Sequence, residues 1–235
     1  MGWNVYVTRR IPEAGIDMLR GQCAVIEVNP EDRVLTRDEL LQAVVGRDGV
    51  LCLLTDKIDA GVMDAAAGCK VFANYAVGYD NIDVAAATER GIAVTNTPGV
   101  LTDATADLAW ALLFSVARRL AEADRYTREG KFTGWGPMLF LGGDITGRTL
   151  GIVGAGRIGQ AVARRSVGFR MTVLYADPSP RPELEREIGA KRVMFDSIDV
   201  LLALLDDPKA ERREVYRVHD WLAHSGMTGL VSARF

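Results

Sequence analysis

The chain has 235 residues, a formal net charge of −3 at pH 7, 49% hydrophobic residues and 25% charged residues. That is the composition of an ordinary folded protein, and it excludes disordered, collagen-like and disulfide-scaffold classes. The slightly acidic balance gives no general electrostatic footprint for nucleic acid. The three scattered cysteines, Cys23, Cys52 and Cys69, read as thiols in a reducing compartment, with Cys52 buried in an apolar run.

No apolar run reaches the ~18 residues that a membrane span needs. The N-terminus lacks the basic flank and apolar stretch of a signal peptide, and Tyr6 stands where myristoylation wants Ser or Thr. The expected location is the cytoplasm, with no membrane and no nucleic-acid partner.

Short β-like runs alternate with helical ones up to about residue 99. Strands are expected at Asn4–Thr8, Ala24–Val28, Val50–Leu54, Val71–Tyr75 and Ile92–Thr95. Helices are expected at Pro12–Leu19, Thr36–Val45, Ala60–Ala67 and Val84–Arg90, the second opened by a capping box of Thr36 and Glu39. Repeated βα units of this length predict a parallel sheet with helices on both faces.

A long helix is expected from Thr102 to about Glu122, with Leu108, Leu112, Leu113, Val116 and Leu120 on one stripe. Gly130 to Gly147 is irregular and reads as a crossing connection. The expected division is a lobe over 1–99, a linking helix and connection over 100–147, and a second α/β lobe over 148–235.

The second lobe opens with a strand, Thr149–Val153, and then Gly154-Ala155-Gly156-Arg157-Ile158-Gly159 and a helical run. This is a G-x-G-x-x-G turn in the context that gives it meaning. The first glycine permits the tight turn, the second admits a pyrophosphate to the backbone, and the third lets helix and strand pack closely. The following helix N-terminus offers N–H groups and a positive dipole end. A second strand, Met171–Tyr175, leads to Asp177, 18 residues after Gly159. An acid there can bond a ribose hydroxyl and repel a 2′-phosphate, so NAD is expected over NADP. The alternative is that the glycines only shape a turn.

At this point the sequence resembles the D-isomer-specific 2-hydroxyacid dehydrogenases, nearest their glyoxylate/hydroxypyruvate reductase branch. The residues that carry the likeness are Tyr75-Ala76-Val77-Gly78-Tyr79-Asp80-Asn81-Ile82-Asp83, Val94-Thr95-Asn96-Thr97-Pro98-Gly99 and Leu101-Thr102-Asp103-Ala104-Thr105-Ala106-Asp107-Leu108-Ala109. Phe140-Leu141-Gly142 and Leu150 through Gln160 continue it, so that it covers about residues 1–190. The resemblance implies that Val77 and Gly78 present N–H groups to a substrate carboxylate and that Thr105 lies near a nicotinamide. It also implies that Arg157 and Ile158 sit under the pyrophosphate with Gly154, Gly156 and Gly159, and that Asp177 holds the adenosine ribose. A homodimer through the helix from Thr102 is implied as well. The bland alternatives are a surface threonine at 105 and a solvated charge at 157.

The family's chemistry also calls for an arginine, a carboxylate and a histidine, in motifs not found in this chain. His219 and His224 read as surface or helix-end residues, and Arg234, one residue before the final Phe235, only faintly matches the arginine motif. No catalytic residue and no metal ligand is therefore assigned.

From about Lys191 the pattern changes. The run Lys191–Ile198, with Asp196-Ser197 toward its end, Arg212 to Arg217, Asp220-Trp221-Leu222 and Gly226 to Thr228 resemble part of a RecA-like ATPase of the circadian-clock type. That likeness would place Asp196 near magnesium, but no G-x-x-x-x-G-K-[ST] loop accompanies it, so Asp196 reads as a structural strand-end acid. The expectation is a hybrid joined near 189–193, engineered or natural. Its fold would be α/β, a flavodoxin-like doubly wound lobe plus a reduced Rossmann-like parallel-sheet lobe with strands near 149–153, 171–175, 192–196 and 227–232. The leading expectation is a scaffold without catalysis that holds NAD weakly. The alternative is an active NAD-dependent glyoxylate/hydroxypyruvate reductase.

Overall fold

The computed structural model describes residues 2–193 and the backbone of 228–231. Two compact units are present, Met1–Leu101 and Thr102–Phe235. Most of the run Lys191–Ile198, with its strand end at Asp196, and His219, His224 and Arg234 lie outside the described residues.

The first unit is a parallel sheet of five strands in the order β2-β1-β3-β4-β5. The strands are β1 (Trp3–Val7), β2 (Cys23–Val28), β3 (Gly49–Cys52), β4 (Val71–Asn74) and β5 (Ala93–Thr95). Alternation along β3 sends side chains to two cores. Val50 and Cys52 join the core under α2 (Arg37–Ala43), α3 (Ala60–Ala65) and α4 (Val84–Glu89), with Phe72, Ile58 and Val62 fully buried. Leu51 packs toward α1 (Glu13–Arg20), beside Val7 and Ile16.

Local chemistry sets the helix starts. Thr36 and Glu39 form the predicted capping box, and Asp59 and Asp83 cap α3 and α4 by accepting the Val62 and Ala86 N–H groups. Cys52 is buried as expected, and burial, the largest cause, pushes its thiol up to about 12.

The second unit carries four parallel strands in the order β8-β7-β6-β9. They are β6 (Thr149–Val153), β7 (Thr172–Ala176), β8 (Lys191–Arg192) and β9 (Thr228–Val231). The last strand thus extends the sheet on the far side of β6. Around the sheet lie α5 (Thr102–Ala117), α6 (Leu120–Arg128), α7 (Arg157–Arg165) and α8 (Pro182–Ile188). Trp110 on α5 is buried, and its Nε1–H donates to the Val162 carbonyl of α7 at 3.0 Å. Its ring stacks on Phe169 at 5.0 Å, and Phe114 meets the same ring edge-on.

Two expectations change here. The helix from Thr102 is broken, because Arg119 adopts a left-handed backbone with φ +55° and α6 starts afresh. The Phe140–Gly143 turn docks where α5 ends: Gly143 N–H donates to the Ala117 carbonyl at 2.9 Å, and a Cβ on Gly142 would lie 2.3 Å from that oxygen. The expected apolar stripe also divides. Leu113 is buried with Ala106 and Trp110, whereas Leu108, Leu112, Val116 and Leu120 are exposed.

Candidate functional site

The glycine turn begins where β6 ends, and its glycines serve separate purposes. Gly154 has φ +89°, a backbone that side chains resist, and its N–H donates to the Ala176 carbonyl at the end of β7. Gly159 is required by packing, since a Cβ there would lie 2.2 Å from the Gly154 oxygen. Gly156 has an ordinary φ of −71°, and a Cβ on it would meet no atom of the described residues within 4 Å. No described neighbour demands glycine at 156, and the room beside it is of the kind that the approach of a pyrophosphate requires.

Gly156 is the N-cap of α7 and no side chain caps that end, which leaves first-turn N–H groups for an anion. Gln160 Nε2 donates to the Ala155 carbonyl at 3.0 Å. In a planar trans peptide the carbonyl and the next N–H point opposite ways, so this bond turns the Gly156 N–H away from Gln160. Arg157 is exposed at the first helical position, and Ile158 is half-buried against the core.

Asp177 follows β7 at the same end of the sheet. Its side chain is only 9% exposed. Oδ1 accepts the Ser179 N–H at 2.9 Å and Arg181 Nη2 at 3.0 Å. Burial opposes ionisation, but these bonds outweigh it and hold the carboxyl below its ordinary value. Arg192 Nη2 donates to the Asp177 and Pro178 carbonyls at 2.8 and 2.7 Å, which pins the turn. Thr105 is half-buried in the first turn of α5, next to the buried Ala106. The second unit therefore gathers Gly154, Gly156, Arg157, Ile158, Gly159 and Asp177 around the carboxyl ends of β6 and β7, where parallel sheets bind nucleotides. An open glycine turn, an uncapped helix start and an ionised acid beyond the neighbouring strand fit NAD.

Val77 and Gly78 lie in the first unit, in the loop after β4. The four carbonyls of residues 76–79 are all engaged. Ala76 O accepts the Thr97 N–H at 2.8 Å, Val77 O accepts Asn96 Nδ2 at 2.7 Å, Gly78 O accepts Asn74 Nδ2 at 2.8 Å, and Tyr79 O accepts the Ile82 N–H at 3.0 Å. None of the N–H groups of Ala76, Val77, Gly78 and Tyr79 donates to another described residue. Consecutive free N–H groups with satisfied carbonyls are suited to an anion. Asn81 braces the loop from below, paired with Asn74 and donating to the Leu53 and Asp56 carbonyls.

The sequence reading gave no role to Gln160, Asn74, Asn96, Arg181 or Arg192. Asn81, Asn96 and Gln160 stood inside the motifs of the resemblance, and that was the only signal for them.

Fold and sites together define a parallel α/β protein of the dinucleotide-binding class. The D-isomer specific 2-hydroxyacid dehydrogenase catalytic domain matches residues 5–169. Glyoxylate reductase of Thermococcus kodakarensis is 54% identical over 203 residues, which is 85% of this chain and 60% of that protein. Glyoxylate reductase of Thermococcus gammatolerans is 53% identical over the same shares. A solved structure from Polaromonas sp. JS6 66, described as an NAD-binding D-isomer specific 2-hydroxyacid dehydrogenase, superposes with a TM-score of 0.77 at 40% identity, over 86% of this chain and 62% of that one. The chain belongs to the D-isomer specific 2-hydroxyacid dehydrogenase family. It spans about 60% of the length of the curated relatives it matches.

These findings correct two expectations. A hybrid carrying a P-loop ATPase fragment finds no support in the family match or in the relatives, two of which are named glyoxylate reductase and align over 203 residues. The expectation of a scaffold without catalysis is overturned by relatives at 54% and 53% identity that are named glyoxylate reductase.

Proposed function

We propose that this protein is an NAD-dependent reductase of glyoxylate or a similarly small 2-keto acid. The observation that carries the proposal is the run of N–H groups at 77–79 in one unit, each oriented by a bonded carbonyl before it and donating to no described residue, with a complete dinucleotide turn in the other. The first cradle would take the substrate carboxylate through the Val77 and Gly78 N–H groups. In the second, Gly156 would admit the pyrophosphate and Asp177 would accept the ribose hydroxyls, with Thr105 beside the nicotinamide. When bound, NADH supplies the hydride. The residues described here bind and orient the reactants.

The exposed stripe of Leu108, Leu112, Val116 and Leu120 on α5 and α6 supports a homodimer through these helices. Replacing Leu112 by Asp should halve the mass seen by light scattering. No described helix is long and apolar enough to cross a membrane, and a cytoplasmic enzyme accords with that.

The test is NADH oxidation with glyoxylate, alongside calorimetric titration with NAD. Glyoxylate-dependent turnover and saturable NAD binding are expected. NAD binding without any turnover on glyoxylate or hydroxypyruvate would overturn the reductase reading.

A further inference from the structure

The loop after β4 holds its N–H groups outward by a device that its own residues do not contain. In a planar trans peptide, fixing a carbonyl fixes the direction of the following N–H. Three successive peptide planes are fixed in this way. The Thr97 N–H holds the Ala76 carbonyl and so aims the Val77 N–H. The Asn96 amide, 19 positions along the chain, holds the Val77 carbonyl at 2.7 Å and so aims the Gly78 N–H. The Asn74 amide holds the Gly78 carbonyl at 2.8 Å and so aims the Tyr79 N–H.

Glycine at 78 makes this restraint necessary. Its φ lies outside the left-handed region, and a Cβ there would make only an ordinary 3.5 Å contact with Asp80 Oδ2. Packing therefore does not demand glycine, and glycine leaves the adjoining peptide planes free to rotate. If the 77–78 plane turned over, the Val77 carbonyl would face the anion instead of the Gly78 N–H. Repulsion would then replace a charge-assisted hydrogen bond.

We infer that Asn96 is a positioning residue for the substrate carboxylate: by holding the Val77 carbonyl it locks the Gly78 N–H toward the anion, and Asn74 does the same for the next plane. The inference rests on the carboxylate-cradle reading of this loop. Asn74 is 2% exposed and tied to Asn81, so its loss would disturb the fold. Asn96 is half-exposed at the end of β5, which makes it the better probe.

The experiment compares the wild-type chain with Asn96→Ala and with the isosteric Asn96→Asp. The second change would set a carboxylate oxygen against the Val77 carbonyl. Three readouts are taken: KM and kcat for glyoxylate, the Kd for NADH, and the Kd for oxalate measured calorimetrically with NADH present. Asn96→Ala is expected to raise the glyoxylate KM and the oxalate Kd about tenfold, the scale of one hydrogen bond to a charged group. Asn96→Asp should raise both further. The NADH Kd should stay unchanged in both variants, which a general loss of structure would not allow.

An unchanged oxalate Kd in both variants would overturn the inference while leaving the reductase reading intact. Oxalate binding that depends on Asn96, in a chain that does not turn over glyoxylate, would remove the reductase reading and support the positioning role. A wild-type chain that binds no oxalate would remove the cradle and the positioning role together.

Discussion

The two loops proposed to face anions are held by different means. Around α7 the turn is built from glycines close together in sequence, two of them fixed by a positive φ and by a 2.2 Å approach. After β4 the loop is held by amides 4 and 19 positions away. Both use a side-chain amide to hold a carbonyl, Gln160 in one case and Asn96 and Asn74 in the other. The contrast shows that backbone N–H groups can be aimed by local sterics or by long-range tethers, and that the two should fail differently.

Glycine substitutions in the second unit give the largest expected effects and separate fold from function. Gly159→Val drives a side chain into the Gly154 oxygen and should cost about 2–3 kcal/mol in urea unfolding, with loss of NAD binding. Gly156→Val should abolish NAD binding while lowering stability by no more than about 1 kcal/mol, the scale of a changed N-cap. If Gly156→Val were as destabilising as Gly159→Val, the room beside Gly156 would be structural rather than a place for the pyrophosphate.

Asp177 comes next. Asp177→Asn should weaken NAD about tenfold by removing a charged acceptor, and it should also free Arg181 from its 3.0 Å pair. NADP should therefore gain on NAD in calorimetry, and Arg181→Ala in the same background should cancel that gain. The pH sign follows from a depressed pKa. The carboxylate stays ionised from neutral pH down through the usual carboxylate range, and NAD affinity should fall only as pH drops through the lowered value.

This ordering shows what was legible in the sequence. The βα alternation, the capping box at Thr36 and the glycine turn were readable because each rests on residues close in the chain. The break at Arg119 was not, because the segment that docks at the end of α5, at Gly142 and Gly143, lies more than twenty positions along the chain. Asn96 was hidden for the same reason: its bond spans 19 positions, and an asparagine after a strand usually signals a turn. Leu108, Leu112 and Val116 have helical spacing, but spacing alone cannot tell a stripe that faces this unit's core from one left exposed.

Smaller effects bear on each unit's frame. Trp110→Phe keeps the ring packing but leaves the Val162 carbonyl without its indole donor, and should cost about 1 kcal/mol in urea unfolding. In the first unit, the Arg33 guanidinium and the capping bonds from Thr36 lower Glu39 to about 2. Its contribution is present above the ordinary 4.5 and fades as pH falls toward 2. Glu39→Gln should therefore narrow the stability gap to wild type over that window in acid titrations. The side chain is exposed, so the change is small.

The most direct measurement is amide NMR of the labelled chain under two titrations, one with NAD and one with oxalate. NAD should shift the Gly154, Gly156 and Arg157 amides, and oxalate the Val77, Gly78 and Tyr79 amides, each set responding chiefly to its own ligand. Oxalate shifts confined to the glycine turn, with Val77 and Gly78 unmoved, would contradict the assignment of a separate carboxylate cradle to the first unit.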